Sequence, residues 1–168
     1  MNKKVLFVTQ AAAIAALYVI LTLVANAFGL ANHAIQVRFS EALTILPFFT
    51  AAAIPGLFLG CFLSNLITGC MVLDMVFGSL ATLAGALLTF FICKAMKHNR
   101  ASEFIAPIPP ILANTLVVPF VLAYVYELEG SVPYFMLTVG AGEIISCGIL
   151  GILFLNGVKK SGIFKREA

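Results

Sequence analysis

Uncharged stretches dominate the chain: residues 5–32, 42–73, 75–93, 104–126 and 130–158 hold no Lys, Arg, Asp or Glu, apart from Glu143 inside the last. Each exceeds the ~18 apolar residues that a membrane-crossing helix needs. As one α-helix the 42–73 stretch would be ~48 Å long, against a hydrocarbon core of ~30 Å, so it must break. Pro55-Gly56, within "AAAIPGLFLG", predicts where, because Pro removes a helix donor and Gly permits a turn. The pattern therefore predicts an all-α integral membrane protein: a bundle of six transmembrane helices at about 5–28, 40–52, 55–72, 75–96, 104–126 and 132–157, in a single domain over residues 1–168.

Composition agrees. Hydrophobic residues make up 62% and charged residues 10%, with a mean hydropathy of +1.09, whereas soluble chains carry roughly a quarter charged residues. Almost nothing is left for a soluble domain, and a scattered net charge of +3 gives no nucleic-acid surface. With six helices, Lys3, Lys4, Lys94, Lys97, Arg100, Lys159, Lys160, Lys165 and Arg166 share one side and Arg38 lies opposite, so both termini are expected in the cytoplasm. Five helices would divide the basic residues nearly as well; length and the Pro-Gly break favour six. The first apolar run, 5–24, is too long for a cleavable leader, whose apolar region is usually ~7–15 residues. The other face then carries Arg38, Glu41, Asp74, Glu127 and Glu129, an acidic mouth suited to a cationic solute.

Glu143, in "VGAGEIISCGILG", raises the chemical question. A charge at mid-bilayer costs at least ~2.5–3.5 kcal/mol on insertion scales, and an acid there usually lines a pathway or binding cavity. Counting 1.5 Å per residue puts Glu143 about 17 Å into the last helix, with Asn114 about 15 Å into the fifth and Asn65 at similar depth in the third. The three can meet at one level; for the asparagines, an interhelical hydrogen bond that fixes packing is an equal alternative. Gly140 and Gly142 leave room beside Glu143 for a flat ligand. Arg38 and Glu41, three apart at the entry to the second helix, either pair with each other or form a polar rim. Asp74 begins the fourth helix, where the helix dipole favours an acid in any case.

Small residues mark close approaches. Ala11–Ala15 and Ala12–Ala16 are spaced by four on the first helix, as are Gly56–Gly60 on the third and Ala81–Gly85 on the fourth. Packing within the bundle accounts for any single pair, but the width of the alanine face, Ala11, Ala12, Ala15 and Ala16, suits a partner protein as well. Cys61, Cys70, Cys93 and Cys147 fall within predicted spans without ligand-like spacing and read as buried apolar residues; no metal or cofactor is expected.

The segment "VRFSEALTILPFFTAAAIPGLFLGCFLSNLITGCMVLDMVFGSLATLAGA", residues 37–86, resembles the QueT family of bacterial membrane proteins, and the flanking helices match in number and order. The resemblance implies an S component, the substrate-binding subunit of an energy-coupling-factor transporter in the plasma membrane. Its implied solute is 7-aminomethyl-7-deazaguanine or a related queuosine precursor. Its implied partners are a transmembrane T component, met by small residues of the first helix, and two cytoplasmic ATPases. The chain has no G-x-x-x-x-G-K-[ST] loop of its own, in keeping with a borrowed motor. On this reading Glu143 accepts from N1–H and the exocyclic amine of the base, Asn114 meets O6 or a ring nitrogen, and Asp74 or Glu41 meets the aminomethyl cation. An S component for riboflavin or thiamine keeps the architecture with a different pocket. A membrane enzyme pairing Glu143 with His33 or His98 is disfavoured, because both histidines sit at membrane edges; the chain is expected not to be an enzyme.

Overall fold

The computed structural model describes residues 2–30 and 37–164. Every regular element among the described residues is a helix: α1 (Lys3–Ala27), a 3-10 helix (Phe39–Phe48), α2 (Ala53–Ile67), α3 (Val72–Ala95), α4 (Arg100–Ile105), α5 (Ile108–Tyr124), α6 (Val132–Glu143), a π-helix (Ile144–Leu150) and α7 (Gly151–Ser161). Four stretches are long and apolar enough to cross a membrane: Lys3–Ala27, Val72–Ala95, Arg100–Tyr124 and Val132–Ser161. Two shorter apolar helices, Phe39–Phe48 and Ala53–Ile67, stand between the first and second of these. Large apolar side chains such as Ile20, Leu88, Leu137 and Leu153 point outward, as lipid-facing residues do, while Thr, Ser, Asn and acidic side chains are buried. This is a multi-pass membrane bundle.

The long apolar stretch breaks earlier than Pro55-Gly56. The turn occupies residues 49–52, and α2 begins at Ala53. Pro55 thus lies in the first turn of α2, where a helix needs no amide donor from it. Gly56 serves packing instead: a Cβ there would lie 2.7 Å from the Ala11 carbonyl oxygen.

The 3-10 helix is the hub of the fold. Leu43 and Leu46 join a core with Ile14, Tyr18, Leu57 and Ala86, while Ile45 and Phe48 join another with Cys93, Ala106 and Leu155. A ten-residue 3-10 helix is unusually long. Two local features explain it. The Thr44 hydroxyl donates to the Glu41 carbonyl at 2.6 Å, competing with the α-helical bond that carbonyl would accept, and Pro47 has no amide to give.

Around this hub, α1 packs chiefly on α2, α3 on α5, and α5 on α6. The ends are fixed by local chemistry: Asn2 caps α1, Asn99 caps α4, and Ser131 caps α6 by accepting from the Tyr134 amide. Lys159 of α7 and Glu103 of α4 pair at 2.7 Å, so the ends of the chain's later helices are tied together on the side where Lys94, Lys97 and Arg100 lie.

Candidate functional site

Five elements converge on one buried polar layer. Glu41 comes from the 3-10 helix, Tyr18 from α1, Asn114 from α5, Glu143 from the end of α6 and Cys147 from the π-helix that follows. Glu41 is 2% exposed and Glu143 8%, so neither carboxylate relies on water. Each needs donors from the chain, because an unpaired buried charge is costly.

The donors are present. The amide Nδ2 of Asn114 donates to Glu143 Oε1 at 3.0 Å and to Glu41 Oε2 at 3.4 Å. The Tyr18 hydroxyl donates to Glu41 Oε1, and the Cys147 thiol donates to Glu143 Oε2 at 3.0 Å. The Thr44 hydroxyl, whose hydrogen goes to the Glu41 carbonyl, lies 3.3 Å from Cys147 Sγ. Every carboxylate oxygen of the pair therefore has a hydrogen-bond partner.

A small polar cavity of about 10 Å3 adjoins this layer, room for roughly one water. On α3, Asp74, Gly78 and Thr82 line it at intervals of four residues, a single stripe along the helix. Arg38, Glu41, Asn114 and Glu143 complete its polar lining. Asp74 is 6% exposed and accepts a 2.8 Å hydrogen bond from Tyr126, whose oxygen also accepts from the Met71 amide at 3.2 Å. Exposed Glu127 and Glu129 follow immediately in the chain. A much larger groove, about 560 Å3, lies between α3 and α5, but residues such as Leu80, Leu88, Leu112 and Leu116 make its lining wholly apolar.

Several expectations take a different form. Glu41 is not at the surface: because the 3-10 helix runs through the interior, its first turn carries Glu41 into the core. Arg38, partly exposed, reaches the same cavity, and its backbone amide donates to Ser146 Oγ at 3.2 Å. Asp74 stands in the third position of α3, its side chain engaged by Tyr126 rather than by the helix end. Asn65 does not join Asn114 and Glu143. It donates weakly to Cys61 Sγ at 3.8 Å and lies across Gly78 from Asp74, with its Nδ2 and Asp74 Oδ1 at 3.4 and 3.5 Å from where a Gly78 Cβ would stand. Gly140 makes room for Thr115 of α5, not for open space.

The alanine face divides. Ala15 is buried against Gly60, and Ala11 meets Gly56, so these two belong to the α1–α2 seam, whereas Ala12 and Ala16 are exposed. His98 lies edge-on to the Phe48 ring at 5.1 Å, seven residues along the 3-10 helix from Glu41, about 14 Å at 2.0 Å per residue. His33 lies outside the described residues.

Sequence reasoning missed Tyr18 and the hydrogen-bonding roles of Cys147 and Tyr126. A tyrosine in an apolar run reads as bulk, and a cysteine at depth reads as a small apolar residue; the signal for Cys147 was its i+4 spacing from Glu143. Glu41, Glu143 and Cys147 are also the one trio among the described residues with metal-ligand reach, one atom of each lying within 4.8 Å of the others. Those side chains are engaged in the hydrogen bonds above. The arrangement is suited to holding a solute's N–H groups.

The match to the family described as QueT transporter runs over residues 8–160 of the 168-residue chain, and the chain belongs to that family. No curated protein and no solved structure matches it.

Proposed function

From membership of the QueT transporter family, we propose that this chain is the S component of an energy-coupling-factor transporter, binding 7-aminomethyl-7-deazaguanine or a related queuosine precursor. The observation that carries the reading is the pair of buried carboxylates, Glu41 and Glu143, beside a polar cavity that Arg38 and Asp74 also line. A deazaguanine presents adjacent N1–H and amine donors to one carboxylate, a charge-assisted pair of bonds, and its aminomethyl cation calls for a second acid. Asp74, which lines the cavity and is bonded by Tyr126 beside the exposed acids Glu127 and Glu129, supplies it. The two short apolar helices complete a six-span bundle with both termini in the bacterial cytoplasm, and the basic ends of α1, α3 and α7 support that orientation.

Calorimetric titration of the purified protein against the deazapurine, riboflavin, thiamine and biotin tests the solute. Saturable binding of the deazapurine alone is expected; binding of riboflavin or thiamine instead would reassign the site to another vitamin, and chemical turnover of any of them would make the chain an enzyme.

The chain lacks an ATP-binding loop, so transport calls for a T component and two ATPases. Exposed Ala12 and Ala16 offer the T component a smooth surface, free of the packing that engages Ala11 and Ala15. Ala16→Trp is expected to leave solute affinity unchanged, while co-purification with the T component and uptake are lost. A variant that still assembles and transports would remove this face from the interface.

A further inference from the structure

We infer that the Asn114 amide stands in for a planar NH2 group of the solute, and that the site takes an amidine-type amine bridging Glu41 and Glu143. This rests on the chain's reading as a solute-binding transporter subunit, and it changes the role expected for Asn114 from a contact on the ligand to an occupant that the ligand replaces.

The bonding pattern separates permanent partners from replaceable ones. Glu41 Oε1 is held by Tyr18, whose ring is buried at 1% exposure in the core shared by α1, α2 and the 3-10 helix. Glu143 Oε2 is held by Cys147 at 3.0 Å, with the Thr44 hydroxyl and the Glu41 carbonyl at 3.3 and 3.5 Å from the same sulfur. The remaining two oxygens, Glu41 Oε2 and Glu143 Oε1, are both served by the single nitrogen of Asn114. Those are the hydrogen bonds of the Asn114 side chain among the described residues. One planar NH2, with two hydrogens about 120° apart, thus spans two acids whose other oxygens are already fixed.

Space gives the same result. The adjoining cavity, about 10 Å3, has no room for a bicyclic base beside Asn114 as it lies. Side chains that line the cavity must therefore move for a base to enter, and the Asn114 amide, lying between the two acids, is the one whose bonds an amine can replace. An exocyclic amine on an aromatic ring is planar, carries two hydrogens and has a ring N–H next to it, so it can restore both bonds. A keto group at the same ring position offers only an acceptor and would face two carboxylates. The site therefore selects for the amine itself.

The test uses the full chain in detergent and ligand pairs that differ only in this amine: 7-aminomethyl-7-deazaguanine with its 2-deamino counterpart, and guanine with hypoxanthine; thiamine, with its aminopyrimidine, is a further probe. The unmodified protein is expected to prefer the amine-bearing member of each pair. Asn114→Ala removes the internal occupant, so it should bind the amine-bearing ligand about ten-fold more tightly, the equivalent of one charge-assisted hydrogen bond, and leave the deamino ligand unchanged. Asn114→Ser, too short to reach both acids, should act alike and guards against a folding defect. Weaker binding of the amine-bearing ligand by folded Ala and Ser variants would make Asn114 a direct contact and overturn the proposal. So would equal affinities within every pair on the unmodified protein, a measurement that needs no variant. If the deazaguanine fails to bind while thiamine binds and tightens with Asn114→Ala, the queuosine-precursor assignment falls and the amine subsite stands.

Discussion

Ala15 and Tyr18 lie within one turn of α1, yet they serve regions built on opposite rules. Around Ala15, α1 meets α2 through a dry seam in which the glycines of α2 admit the neighbouring backbone; a Cβ on Gly60 would stand 3.1 Å from the Ala15 Cα. Around the Tyr18 hydroxyl lies the polar layer, in which two acids, an amide, a thiol and a phenol satisfy one another. The seam depends on the absence of atoms and the layer on their presence. In lipid the first kind of contact gains from close packing, since there is no water to expel, and the second from the high cost of leaving a polar group unpaired. Tyr18 joins the two, its Cβ facing Gly60 and its hydroxyl on Glu41.

The sharpest way to break this contrast is in the polar layer. Glu143→Gln keeps shape but turns one acceptor into a donor, which opposes either the ligand N–H or the Cys147 thiol, and it removes the negative charge. Solute affinity is expected to fall by ~2–5 kcal/mol while the bundle stays folded. Unchanged affinity in a titration of the folded variant would take Glu143 out of the site.

In the seam the order reverses. Gly60→Leu sets a Cβ 2.7 Å from Tyr18 Cβ, and because Tyr18 is fully buried neither side chain can swing away. Unfolding stability in detergent is expected to drop by ~3 kcal/mol, at the high end for overpacking, with solute binding failing only as a consequence. A variant with wild-type thermal stability and lost binding would show that the seam is part of the site.

The sequence makes one of these regions easier to read than the other. Glu143 and Asn114 were visible because a polar residue in an apolar helix has few reasons to be there, and helical rise alone brings them to one depth. They meet at 3.0 Å, whereas Asn65, placed at the same depth by the same count, faces Cys61 and Gly78, because rise gives depth and not direction. Glu41 lies deeper than a second helix starting at the surface would put it: Thr44 and Pro47 in "VRFSEALTILPFF" favour a 3-10 helix, but they do not say that it runs through the interior. The alanine face was visible as a pattern, but which alanines serve α2 depends on the rotation of α1, which four-residue spacing does not specify. Pro55-Gly56 shows the same limit: its residue types fit a turn or a helix start equally, and the packing of Gly56 on Ala11 accompanies the second.

The smallest expected effects come from deleting single hydroxyls, and they sharpen the comparison because the chemistry removed is identical. Tyr18→Phe strips a donor from a carboxylate that is 2% exposed and has Asn114 as its other side-chain donor, so ~1–3 kcal/mol of stability should be lost. Tyr126→Phe deletes a 2.8 Å bond to Asp74 and releases the Met71 amide, but this residue stands at the end of the bundle, where Met71 is 48% exposed and its amide can turn to water. The expected loss is ~1 kcal/mol, which for a chain of this size is a fall of about 2–4 °C in Tm. Thermal unfolding of the two variants under one set of conditions measures the difference. Equal losses would mean that burial does not separate the core of the polar layer from its edge, and a larger loss for Tyr126→Phe would make the Asp74–Tyr126 clasp, not the Glu41–Asn114–Glu143 layer, the main polar tie of the bundle.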